Sequence, residues 1–217
     1  MHWPVEPAQL RLLLPASLEL DLFEGRAYVA VVPFRMTGIR ARFCPPLPGL
    51  AAFPELNLRT YVRPINNSDR PGVFFWSLEA TNPLAVATAR ALFHLPYMNA
   101  EMSCEERGGE IHYRSRRTRR HEPPARFSGS YRPLRQTVKS ALTDFLTERY
   151  CLYSADAQGR LYVGEIHHEP WPLYDAAAVI EENSIASAAG ITLPEETPLL
   201  HFAKFQDVAI WPLRRAV

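Results

Sequence analysis

The sequence is poor in lysine, in cysteine and in long apolar runs. Lys139 and Lys204 are its two lysines, so 22 of the 24 basic residues are arginine. Chemistry that needs an amine nucleophile therefore has two candidates. The three cysteines, Cys44, Cys104 and Cys151, are odd in number and widely spaced. They make no disulfide framework and no paired zinc knuckle, which fits a reducing cytoplasm. Residues 10–14 are apolar except Arg11 and are stopped by Pro15, too short for a signal core or a membrane span. Neither sign of charge dominates: 24 basic against 23 acidic residues give a formal net charge of +1. That balance excludes a nucleic-acid tail and a polybasic membrane anchor. G-x-S-x-G, G-x-x-x-x-G-K and G-x-G-x-x-G are all missing, which removes the usual grounds for a hydrolase, an NTPase or a dinucleotide-binding fold. No cofactor is expected.

What is present is a chain of 217 residues, 47% hydrophobic, enough to bury a large core as one domain over residues 1–217. Twenty prolines against ten glycines, with no repeat or linker, suggest short elements and stiff connections. Patterned sequence begins at once after Met1, which suggests a missing upstream strand. Residues 9–14 read as a short helix, 26–33 as a buried strand and 44–49 as an irregular connection. Residues 53–63 alternate: Leu56, Leu58, Thr60 and Val62 point one way, Glu55, Asn57, Arg59 and Tyr61 the other. A turn-rich stretch, 64–72, leads to a second apolar strand, 73–78, and an antiparallel hairpin. Asn82 and Pro83 have the side chains of a helix cap and first turn. Further hairpins are expected at 97–117 and 150–168, short helices at 139–147 and 183–189, and strands at 199–203 and 207–211. The expected fold is mainly β, an antiparallel barrel with a few short flanking helices.

Three features invite a functional reading. His167 and His168 are adjacent, so on a strand they face opposite sides and do not ligate one ion; no metal site is expected. The run 114–120 contains Arg114, Arg116, Arg117, Arg119 and Arg120. Nucleic-acid association is one reading, but an edge strand guarded by charge is favoured over it. The polar stripe is the most informative. Residues two apart on one face lie roughly 6–7 Å apart, so Asn57 can bridge Glu55 and Arg59, and Arg59 can bind a carboxylate with two parallel hydrogen bonds. The alternative is a buried Glu–Arg network that only fixes register.

FPELNLRTYV (53–62), PGVFFWSLEA (71–80), ARALFHLPYMNAEM (89–102), FLTERYCLY (145–153) and HHEPWPL (167–173) resemble the YqjF-like bacterial family, which is uncharacterised. That family is distantly similar to acetoacetate decarboxylases. The similarity implies a closed barrel with an internal pocket and an oligomeric assembly. Leu10, Arg11 and Pro15 match the decarboxylases' early L-R-x-x-x-P, and Glu55 matches their pocket glutamate. Tyr97 and Met98 stand where they carry a lysine pair whose first member forms the Schiff base; their substrate arginine would fall before Met1. Tyrosine forms no imine and methionine supplies no charge to tune a neighbour. Imine-forming decarboxylation is therefore not expected. The resemblance and the stripe together imply a small polar carboxylate or carbonyl ligand held by Asn57, Arg59, Tyr61 and Met98, with Tyr97 and Glu55 as candidate proton-transfer groups. A non-catalytic interaction module on the same scaffold is the other expectation.

Overall fold

A computed structural model describes residues 1–38 and 52–216; the connection expected at 44–49 lies outside them. The strand pattern dominates. Strands β1 (His2–Val5), β2 (Leu18–Leu20), β3 (Ala27–Thr37), β4 (Ala52–Pro64) and β5 (Gly72–Ala80) precede β6 (Tyr97–Arg107), β7 (Glu110–Arg117) and β8 (Arg126–Thr137). β9 (Cys151–Ala155), β10 (Leu161–His167) and β11 (Leu173–Asn183) follow, then the short β12 (His201–Ala203), β13 (Ala209–Ile210) and β14 (Arg214–Arg215). Four short helices connect them: α1 (Pro7–Arg11), α2 (Pro83–Phe93), α3 (Ala141–Thr147) and α4 (Ile185–Ala188). None is long and apolar enough to cross a membrane.

The strands form one curled sheet in the order β1-β3-β4-β5-β6-β7-β8-β11-β12. A single antiparallel bridge, with His2 and Leu199 exchanging two 2.9 Å backbone hydrogen bonds, brings the chain before β12 back to β1. The sheet is mixed, which corrects the purely antiparallel expectation. β5 runs parallel to β6 through Leu78–Tyr97 and parallel to β9 through Val73–Leu152. The reason is local. Helix α2 carries the chain back over β5, so β6 starts beside the end of β5 in the same direction. At the other end of β5, a Cβ on Gly72 would sit 2.5 Å from the carbonyl oxygen of Cys151, so only glycine allows β9 this close.

The expected 53–78 hairpin forms as β4 and β5, with a bulge between Leu58 and Arg59. Asn82 caps α2, its Oδ1 accepting from the amides of Leu84 and Ala85 at 3.0 Å. Gly108 and Gly109, both at positive φ, turn β6 into β7. β8 and β11 pair over most of their lengths and were not anticipated.

Leu56, Leu58 and Val62 are fully buried and pack with Val29, Val31, Tyr113 and Phe127. Tyr113, from β7, donates across the curl to the backbone carbonyl of Glu55 at 2.7 Å. Hydrocarbon therefore fills the space between β4 and the strands that curl over it. The polar stripe lies on the opposite face of β4 and does not line that space. The side facing β7 and β8 must cover more apolar surface, and the leucine set supplies it.

Candidate functional site

The opposite face of β4 is also buried. Glu55 and Asn57 are 3% and 5% exposed, Tyr61 is fully buried, and Arg59 is half-buried. Two apolar clusters flank the stripe. Phe53, Ala80 and Val86 lie at one end, and Tyr28, Tyr61, Val73, Phe75, Leu78 and Leu146 at the other. Register brings Tyr97 into the same face, since Asn57 pairs with Leu78 and Leu78 with Tyr97. The Tyr97 hydroxyl donates to Glu55 Oε2 at 3.0 Å. Burial pushes the Glu55 carboxyl up to about 8, against the pull of that hydrogen bond. Burial first, and then Glu55, drive the Tyr97 hydroxyl well above its ordinary range. At neutral pH the pair is a carboxylic acid beside a phenol, with one more proton than two ordinary solvated groups of these kinds would carry.

Around Arg59 the face recruits residues remote in sequence. His2 pairs with Ala30 and Ala30 with Arg59, so these three share one row. The His2 ring lies 6.4 Å from the Tyr61 ring and 5.5 Å from that of His201. The guanidinium of Arg59 lies 6.0 Å from the Tyr61 ring centre, and that of Arg149 5.2 Å. Arg149 is held by Asp21 at 2.5 Å, whereas Arg59 has no ion-pair partner among the described residues. Asn57 Oδ1, Arg59 Nε and Nδ1 of His201 are buried without a hydrogen-bond partner among those residues, and the His2 ring is buried beside the Leu199 backbone. Burial, with further depression from the neighbouring N-terminal amine and then Arg59 and His201, holds the His2 imidazole well below its ordinary value. Burial raises the Tyr61 hydroxyl, and Arg59 and Arg149 draw it partly back. Sequence spacing pointed to neither histidine, because only tertiary pairing joins them to β4.

Met98 is not brought to this group. It pairs with Glu79, which pairs with Leu56, and so belongs to the apolar face. There Glu79, fully buried, receives Arg117 in a fork with its closest contact at 2.6 Å. Neither lysine is near: Lys139 precedes α3, Lys204 follows β12, and both are exposed. His168 is buried on the carbonyls of Glu169 and Arg149 while His167 is exposed. No cluster of metal ligands occurs among the described residues. Three arginines of the basic run are paired, Arg116 with Glu101, Arg117 with Glu79 and Arg119 with Glu122. Open surface depressions among the described residues include one of about 480 Å³ beside α2 and one of about 330 Å³ over β6 to β8. The polar stripe lines neither.

The model of a family described as an uncharacterised conserved protein, DUF2071, matches residues 1–207. The chain belongs to the DUF2071 family. It is 48% identical over 217 residues to the uncharacterised protein YqjF of Bacillus subtilis, covering 99% of this chain and 87% of that one. Among solved structures, this DUF2071 chain is similar to acetoacetate decarboxylase from Legionella pneumophila at a TM-score of 0.63 and 12% identity, covering 100% of this chain and 82% of that one. An acetoacetate decarboxylase-like enzyme from Sphingomonas wittichii matches at 0.58 and 16%, covering 100% and 88%. These likenesses establish the decarboxylase-like fold of the DUF2071 chain.

Proposed function

We propose that this DUF2071 protein binds a small carboxylate- or carbonyl-bearing metabolite on the polar face of β4, without Schiff-base chemistry. One observation carries the reading: Asn57 Oδ1, Arg59 Nε and His201 Nδ1 are buried without a hydrogen-bond partner among the described residues, and Arg59 has no ion-pair partner among them. Buried polar atoms are normally satisfied, and a carboxylate gives Arg59 the planar acceptor its fork fits. Asn57, Arg59 and Tyr61 orient the ligand. Glu55 and Tyr97, joined at 3.0 Å, are the groups able to move a proton to or from its carbonyl. With tyrosine at the position corresponding to the decarboxylases' lysine and both lysines exposed elsewhere, this face has no lysine to form an imine. Two unpaired thiols, Cys104 and Cys151, suit a cytoplasmic setting.

The test is thermal shift with acetoacetate, pyruvate, malonate and lactate, followed by product analysis. A melting shift in the native protein that is lost in Arg59→Met is expected. Shifts that survive Arg59→Met, or none at millimolar ligand, would overturn the reading. The absent lysine pair also supports a second one, a non-catalytic module on the decarboxylase-like scaffold. Binding without product favours that module, and product favours an enzyme.

A further inference from the structure

We propose that the depression beside α2 is a second, separate anion site, one that takes a monocarboxylate with a short apolar tail. It measures about 480 Å³. Val86, Ala87, Arg90 and Ala91 recur at helical spacing along α2 and form one wall, and Asn99 and Arg119 form the other. The wall is thus apolar along the helix and cationic at its end.

The two arginines are arranged in a way their present partners do not exhaust. Arg90 and Arg119 both donate to one neutral acceptor, the carbonyl oxygen of Tyr97, at 2.9 and 3.3 Å. Each guanidinium has five N–H donors. The nearby acid is Glu122, 3.5 Å from Arg119 Nε. Two cations and one anion leave the depression a net +1, which one carboxylate cancels and a phosphate dianion overshoots. Asn99 Oδ1 is buried and unpartnered among the described residues; turned about its amide, that side chain offers a further donor. Partial burial and the charge of Arg119 both weaken the proton affinity of Arg90, a repulsion that a bound anion relieves. Guanidinium is the donor whose geometry matches a carboxylate, and the α2 wall is the surface a short alkyl chain covers.

Hexanoate, hexylammonium and inorganic phosphate, titrated into the whole chain and followed by amide chemical shifts, test this. Hexanoate should saturate with shifts concentrated at residues 86–91, 99 and 119. The double variant Arg90→Gln, Arg119→Gln should weaken it about tenfold or more, and Arg90→Gln alone by a smaller factor; the single variant serves if the double fails to fold. Arg59→Met should leave hexanoate affinity at this site unchanged, which separates it from the face of β4. Equal affinity in the Arg90 variants, hexylammonium binding as well as hexanoate, phosphate binding as tightly, or loss on Arg59→Met would each overturn the proposal.

Discussion

The two faces of β4 are both buried, and they solve burial in opposite ways. On one, Leu56, Leu58 and Val62 are hydrocarbon, and Thr60, their polar companion, donates its hydroxyl to the Tyr28 carbonyl at 2.8 Å. The ion pair on that side, Glu79 with Arg117, is a closed fork. On the other, Asn57 and Arg59 have polar atoms with no described partner, and Glu55 keeps one tyrosine. The leucine side satisfies its charges, although the buried hydroxyls of Ser77, beside Leu58, and of Ser115 have no described partner. A face that leaves polar groups open while excluding water keeps desolvated donors ready for a ligand. The same strand thus carries a largely apolar face and a face whose buried polar groups are less completely paired.

The comparison breaks most sharply on the satisfied side. Arg117→Met leaves the Glu79 carboxylate buried and alone, and should cost about 3–5 kcal/mol in urea unfolding. Leu58→Ala, at a fully buried position, should cost about 2–5 kcal/mol. On the polar side, Asn57→Leu removes an unpaired acceptor at similar volume, and should change stability by less than about 1.5 kcal/mol while weakening ligand binding. A loss of Leu58→Ala size from Asn57→Leu would show that Asn57 holds the fold and would erase the contrast.

Glu55 sharpens it through pH. Its carboxyl is raised in the folded chain to about 8, so the folded state holds the proton more tightly than the unfolded state. The corresponding stability is complete below the unfolded value of 4.5 and is lost as pH rises through about 8. His2 runs the other way: its folded value is depressed, so its contribution is complete above its ordinary 6.5 and falls at lower pH. Between 4.5 and 6.5 the two slopes oppose; between 6.5 and 8 that of His2 is spent, and the slope of Glu55 is opposed by that of the buried Met1 amine, depressed from 8.0 to about 5. Glu55→Gln should remove the downward contribution, so that stability relative to the native chain rises with pH through about 8 and, at pH 9, exceeds it by on the order of a few kcal/mol. An unchanged profile of unfolding midpoint against pH would remove the protonated carboxyl from the site.

The elements read correctly from the sequence are those whose signals are local. Alternation over residues 53–63, the Asn82–Pro83 helix start and the glycine turn at 108–109 each specify a conformation within a few residues. The sequences of β8 and β11 lack such local signals. Gly129 and Pro133 interrupt β8, and β11 reads YDAAAVIEEN, whose alanines and glutamates favour helix. Their pairing with each other decides them. The stripe was visible as a stripe, but its direction was not, because period two says which residues share a face and not which face meets β7. His2 and His201 were invisible as site residues, standing 57 and 142 positions from Arg59 in the sequence and joined to it through β1 and β12.

The finest test concerns the single hydrogen bond on the open face. Tyr97 donates to Glu55, and that bond opposes burial in setting the carboxyl at about 8. Tyr97→Phe removes the donor and keeps the ring against its apolar neighbours. A bond of this kind contributes roughly 1 kcal/mol, or somewhat under one pH unit. The Glu55 titration, followed by carboxyl carbon-13 shift, should therefore move upward by about that amount, carrying the alkaline decline of stability with it. A downward move would mean that the phenol had been holding water away more than it had been holding the charge, and Tyr97 would then be a packing residue with no part in proton transfer.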